Sequence, residues 1–196
     1  MRTSDRVPEM AGRELTDDDA TRYRWDVVAN PSLDLVLEPV VPDALDGQGQ
    51  PPRPLGEWLT TFHLVSVVLD PYTNESSWVL STAARILRAF SGSAARANFI
   101  VTCSPDEARQ FLGPLGREFL VFADADRSVV RALGLGSLPA FVFIRSDGSV
   151  PAAAEGWNPL DWRRVAKEIA VTTSWTAPAI PLAGDPAAFA GTPASG

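Results

Sequence analysis

Three short apolar runs rich in β-branched and aromatic residues recur through the middle of this chain, two of them followed at once by the signature of a helix start, and that alternation restricts the fold more than any other feature. Leu64-Val65-Ser66-Val67-Val68-Leu69, Phe99-Ile100-Val101 and Phe119-Leu120-Val121-Phe122 are too short to be helices and too apolar to keep one face in water. Such runs are strands covered on both faces. Strands alternating with helices pair in parallel, because each crossing helix returns the chain to the same end of the sheet.

The segments between the runs carry helix punctuation. Pro71 ends the first run, and a helix is predicted to start near Ser76 or Ser77, whose hydroxyls can cap it, with Val79, Ala83, Ile86 and Phe90 along one face. Ser91-Gly92-Ser93 stops it. Ser104-Pro105-Asp106-Glu107 reads as a second start, with a capping hydroxyl, a proline at the first helical position and first-turn acids, and this helix fades at Gly113-Pro114. Asp126 to Leu133 gives a short helix that turns Val129, Val130 and Leu133 inward and ends at Gly134 and Gly136. Ala140-Phe141-Val142-Phe143-Ile144, a turn at Ser146-Asp147-Gly148-Ser149 and a weaker strand from Val150 to Ala154 make a hairpin. Asn158 then caps a last helix with Pro159 behind it and Trp162, Val165 and Ile169 as its buried stripe.

Outside this core the pattern is weaker. Residues 1–30 form a charged N-terminal extension in which Thr16-Asp17-Asp18-Asp19 can open a short helix ahead of Tyr23 and Trp25. Leu33 to Glu38 alternates like a peripheral strand that stops at Pro42, and Asp46 to Pro54 reads as a loop. Residues 171–196 are an Ala/Pro-rich C-terminal tail, too poor in large apolar side chains to order itself, with local docking expected only at Trp175. Residues 31–170 are therefore expected to hold a single core, which 196 residues at 45% hydrophobic can supply.

Charge and composition exclude several functions. With 17 Lys and Arg against 24 Asp and Glu the net charge is −7, and no basic stripe offsets it, so nucleic acid is not an expected partner. No segment is long and apolar enough to span a bilayer, so no membrane role is expected. Met1 to Ala20 lacks the apolar centre of an export signal, and the single cysteine, Cys103, has no partner for a disulfide within the chain; both point to a cytoplasmic protein. Without export, the formal sequon Asn74-Glu75-Ser76 carries no weight. No clustered Cys, His and acid spacing suggests a metal site, and Gly134-Leu135-Gly136 lacks the strand-before-helix setting of a dinucleotide loop, so no cofactor is expected. His63, the one histidine, has no G-x-S-x-G companion and reads as structural, while Asp124 and Asp126 suit helix capping.

The order of elements, with Val130-Arg131-Ala132-Leu133-Gly134-Leu135-Gly136-Ser137-Leu138-Pro139 leading into a buried strand and Gly156-Trp157-Asn158-Pro159 ahead of the last helix, resembles the thioredoxin superfamily, and within it the redoxin branch of thiol reductases and peroxiredoxin relatives. The resemblance covers about Leu55 to Ala170. It implies an α/β, three-layer fold: a central mixed sheet with helices on both faces and a C-terminal β-hairpin plus helix. It also implies a cis peptide at Leu138-Pro139 beside the redox centre, where backbone groups are left free for an extended peptide.

The family's chemistry does not follow. When the strand ending at Leu69 and the helix carrying Trp78 are matched to the family, the Cys-x-x-Cys positions fall on Asn74 and Ser77. Thiol exchange needs an attacking thiolate and a leaving sulfur, and neither an amide nor a hydroxyl supplies one. Cys103 precedes the other capped helix and is expected to be an inert, buried residue. Three readings remain. One is a non-catalytic binding or scaffold module in which Tyr72, Asn74, Ser77, Trp78, Leu138 and Pro139 border a groove for a peptide or protein partner. The second is a single-cysteine redox or peroxidase-like protein using Cys103. The third is a structural subunit of an oligomer.

Overall fold

A computed structural model describes residues 29–40 and 50–195. In chain order the elements are β1 (Val36–Pro39), β2 (Arg53–Pro54), α1 (Leu55–Trp58), β3 (His63–Leu69), α2 (Asn74–Ala89), β4 (Ala95–Val101), α3 (Pro105–Leu112), α4 (Leu115–Glu118), β5 (Leu120–Ala123), α5 (Ser128–Leu133), β6 (Ser137–Leu138), β7 (Ala140–Ile144), β8 (Ala152–Glu155), α6 (Pro159–Thr173) and β9 (Thr192–Pro193). The main sheet runs β2-β1-β5-β4-β3-β7-β8. β3, β4 and β5 are parallel, whereas β7 and β8 add antiparallel on one side and β1 and β2 on the other.

The apolar runs behave as their two-sided composition dictates. Along β3, Leu64 and Val68 face one layer and Val65, Val67 and Leu69 the other, so alternate residues feed two separate cores. The larger core holds the α2 stripe (Val79, Ala83, Ile86), Phe90, and the α6 stripe, where Trp162 stacks on Phe141 and meets Trp157 edge-on. α3 closes this layer with Ala108 and Leu112. On the opposite face Leu55 and Trp58 of α1 and Val129, Val130 and Leu133 of α5 cover Leu64, Val68, Ile100 and Phe122. Three layers result.

Several boundaries differ from the sequence reading. Helix α2 begins at Asn74 with Thr73 as its cap residue, earlier than Ser76 or Ser77, because Ser76 is drawn down into the preceding turn, where its Oγ accepts the Asp70 N–H at 2.9 Å. Strand β1 is not peripheral: it lies between β5 and β2, and β2 falls at the end of the stretch expected to be loop. The expected N-terminal helix around Thr16, and residues 46–49 of the expected loop, lie outside the described residues.

The largest correction concerns residues 171–196. Helix α6 continues to Thr173, and the chain beyond it packs across the domain instead of remaining unordered. Trp175 docks as expected, its Nε1–H donating to the Ala89 carbonyl at 2.8 Å, but Ile180 and Ala194 are buried too. Asp185 accepts from Thr82, from the Arg85 guanidinium and from its own loop's Leu182 amide. Composition scored the tail's few apolar side chains and missed this polar fastening.

Candidate functional site

The C-terminal ends of β3, β4 and β5 meet the starts of α2, α3 and α5 at one edge of the sheet. Asp70, the first residue after β3, organises this edge. Its backbone N–H goes to Ser76, its Oδ1 accepts the Tyr72 N–H at 3.0 Å, and its Oδ2 accepts from the Arg127 guanidinium at 2.8 Å. Both partners of the ion pair are largely withdrawn from water, so each charge depends on the other for compensation. Asp124 caps α5 by accepting the Val129 and Val130 amides at 3.0 Å and the Ser128 hydroxyl; Asp126 accepts the Ser128 amide. These carboxylates hold a helix start, as their positions suggested.

The start of α2 is open. Asn74 and Ser77 are exposed and Thr73 makes no side-chain cap bond. The start of α3 is closed by a complete capping box: Ser104 Oγ accepts the Glu107 amide while Glu107 Oε2 accepts from the Ser104 amide and hydroxyl. Glu107 Oε1 also accepts the Tyr72 hydroxyl at 2.8 Å. The Ser104 hydroxyl first, and then Tyr72, hold the Glu107 carboxyl below the usual range. The bond to Glu107 in turn pushes the Tyr72 phenol up to about 12. Cys103 is buried directly before this box, and burial, followed by the nearby Glu107 and Asp70 charges, pushes its thiol up to about 12. Placing a thiol at a helix start does not activate it when burial and the carboxylates beside it disfavour the thiolate.

The Leu138–Pro139 peptide is cis. Val68 pairs with Ala140, so one step further along the antiparallel register Pro139 stands beside Leu69, next to Asp70. The backbone edge ahead of Pro139 is occupied by the chain's own tail: Ser137 and Leu138 pair with Pro193 and Thr192, and the Ala194 amide donates to the Gly136 carbonyl. Phe189 exchanges two backbone bonds with Trp157 at 2.9 Å and packs edge-on against Trp78, with 5.8 Å between ring centroids. Arg127 closes the arrangement by donating from Nη1 to the Ala194 carbonyl at 2.7 Å while Nη2 holds Asp70. The approach is close enough that glycine is required on both sides. A Cβ on Gly156 would sit 2.5 Å from the Ala190 carbonyl oxygen, and one on Gly191 2.7 Å from that of Leu138.

No protein-family model and no curated protein sequence matches the chain. Solved structures do. A putative thiol:disulfide interchange protein DsbE from Chlorobium tepidum matches with a TM-score of 0.57 at 14% identity, covering 74% of this chain and 96% of that one. Xanthomonas campestris peroxiredoxin Q matches with a TM-score of 0.56 at 16% identity, covering 76% and 98%. A secreted Mycobacterium tuberculosis disulfide oxidoreductase homologous to E. coli DsbE gives 0.52 at 17%, covering 71% and 96%. The fold is thioredoxin-like.

Within this thioredoxin-like frame the sequence-derived candidates separate into two groups. Trp78, Leu138 and Pro139 surround the tail strand, Leu138 and Pro139 being buried and Trp78 56% exposed. Tyr72 turns towards α3 instead, and Asn74 and Ser77 face solvent on the first turn of α2. His63 lies at the far end of β3, where its Nδ1 accepts the Ser146 amide and its ring meets Phe143 edge-on. A surface depression of about 320 Å3 also lies at that far end, between α2 and the starts of β4 and β5; Arg88 there is committed to Glu118 and Arg96 to the Phe62 ring. Among the described residues no group of His, Cys, Asp and Glu is arranged to hold a metal ion, and no helix is long and apolar enough to cross a membrane.

Sequence reasoning missed Asp70 and Arg127. A carboxylate directly after a buried apolar run is a detectable anomaly, because it must find a partner. The partner, Arg127, lies 57 residues further along the chain and the tail carbonyl 67 beyond that, and no local pattern reports either.

Proposed function

We propose that this chain is a thioredoxin-like module without a dithiol redox centre, acting as a binding or scaffold unit rather than as an oxidoreductase. The reading rests on one observation. The helix start that follows β3 carries Asn74 and Ser77 where the resemblance puts the sulfur pair, and the only thiol is buried at the next helix start with its pKa at about 12. A thiol pushed up so far is almost wholly protonated at pH 7, whereas an ordinary cysteine is a few per cent thiolate. With the chain's own tail paired to it, the edge at Leu138 offers a redox substrate no free backbone while the tail is in place.

Insulin-disulfide reduction and peroxide consumption, each with dithiothreitol as reductant, test the proposal. Rates indistinguishable from the protein-free reaction are expected in both. Turnover that disappears in Cys103→Ser would replace the proposal with the single-cysteine reading. A cytoplasmic location belongs to the same proposal, since a lone buried thiol requires no oxidising compartment, and cell fractionation checks it.

A further inference from the structure

We infer that residues 187–195 are an exchangeable, sequence-specific occupant of the edge ahead of Pro139, competing in cis with any partner segment of the same chemistry. The inference deepens the binding reading above by naming what the surface accepts: an extended, uncharged segment with an aromatic residue, a glycine two positions on, a hydroxyl-bearing residue next and a small residue two after that.

Each requirement is a contact. Phe189 packs edge-on against Trp78 while its backbone pairs with Trp157. Gly191 has φ +84° and no room for a side chain against the Leu138 carbonyl. Thr192 pairs with Leu138 and donates its hydroxyl to the Leu138 carbonyl at 3.3 Å. Ala194 is fully buried, with its N–H on Gly136 and its carbonyl on Arg127. These are main-chain bonds with pockets for alternate side chains, the elements of strand addition.

The tail is also built in two parts of unequal strength. Its root is fixed by Asp185, whose carboxylate accepts from Thr82 and, through both oxygens, from Nη2 of Arg85. Beyond the root the strand buries little: Ala187, Ala188, Ala190, Pro193 and Ser195 are exposed, and Phe189 is only partly covered. A lightly held strand on a fixed root is a tethered ligand whose effective concentration is roughly millimolar. Its intrinsic dissociation constant must lie below that for the bound form to dominate.

The test titrates a labelled synthetic peptide of residues 187–195 against the full-length protein and the full-length variant Gly191→Val, with Ala194→Asp as a second variant altered only in the tail. Either variant is expected to bind the peptide with Kd below about 0.1 mM, and the unaltered protein, whose own tail competes at roughly 1 mM, at least tenfold more weakly. A peptide carrying Gly191→Val is expected to bind neither. Equal binding to the unaltered and variant proteins, or no binding to natively folded variants, would overturn the inference. Hydrogen exchange on the unaltered protein supplies a check independent of the variants' folding: the Phe189 and Ala194 amides should exchange at least 100-fold faster than those of β3, and equal protection would count as refutation. Redox turnover, by contrast, would defeat the proposed function and leave these outcomes standing.

Discussion

The two helix starts at this edge of the sheet differ in opposite ways. The start of α2 is solvent-exposed and lacks a side-chain cap, the setting that suits chemistry, yet it carries Asn74 and Ser77. The start of α3 has sulfur beside it, yet Ser104 and Glu107 cap it completely and Cys103 is buried beneath. Position and nucleophile have been separated. A helix start lowers a thiol pKa, but burial and acidic neighbours work against it; here the exposed site has no sulfur, and the sulfur is buried with acidic neighbours. Reactivity therefore cannot be read from the presence of a cysteine at a strand end.

The comparison can be broken most severely at Asp70. Asp70→Ala removes the anion from a sheltered pair and leaves the Arg127 guanidinium uncompensated, so about 3–5 kcal/mol of stability should disappear in urea unfolding. A loss under about 1 kcal/mol would mean that the pair does not hold the edge. Restoring sulfur to the open start sharpens the contrast. In Asn74→Cys/Ser77→Cys the new thiols should label about 100-fold faster than Cys103 at pH 7 and close to a disulfide on mild oxidation, as followed by a chromogenic thiol reagent. Labelling as slow as that of Cys103 would show that the start of α2 is less open than its exposure indicates.

Smaller effects are expected at the closed start. Cys103→Ser places a hydroxyl in the buried thiol's position and should cost about 1–3 kcal/mol. Ser104→Ala removes the cap and should cost about 1 kcal/mol. Glu107→Ala should bring the Tyr72 phenol down from about 12 towards its ordinary value near 10, visible in a phenolate absorbance titration. The same variant tests a pH dependence. Because the folded Glu107 carboxyl is held below its unfolded value of 4.5, its contribution to stability is complete above pH 4.5 and is lost as pH falls through the folded value. Glu107→Ala should flatten that part of the stability–pH curve.

What was legible in the sequence was what local patterning controls. The β3 run, the α6 stripe of Trp162, Val165 and Ile169, and the Ser104-Pro105 start were all readable, because burial and capping act over a few residues. The first turn of α2 was placed two residues late. Its apparent caps were serines, and Ser76 proves to be spent on Asp70. The tail was misjudged for a related reason. Ala, Pro and Thr report little hydrophobic drive, whereas what orders the segment is backbone pairing with Ser137 and Leu138, the Asp185–Arg85 pair and a glycine-permitted approach, none visible from composition. Arg127 lay between two recognised capping acids and a serine, where it looked like an ordinary surface residue. Its two partners come from distant parts of the chain.

The one thiol of this frame is buried, and the rate at which a thiol reagent modifies native protein at pH 7 measures its accessibility directly. Cys103 should be modified only as fast as the protein unfolds, with the rate rising steeply in denaturant. One equivalent of thiol consumed within seconds in the absence of denaturant would contradict it.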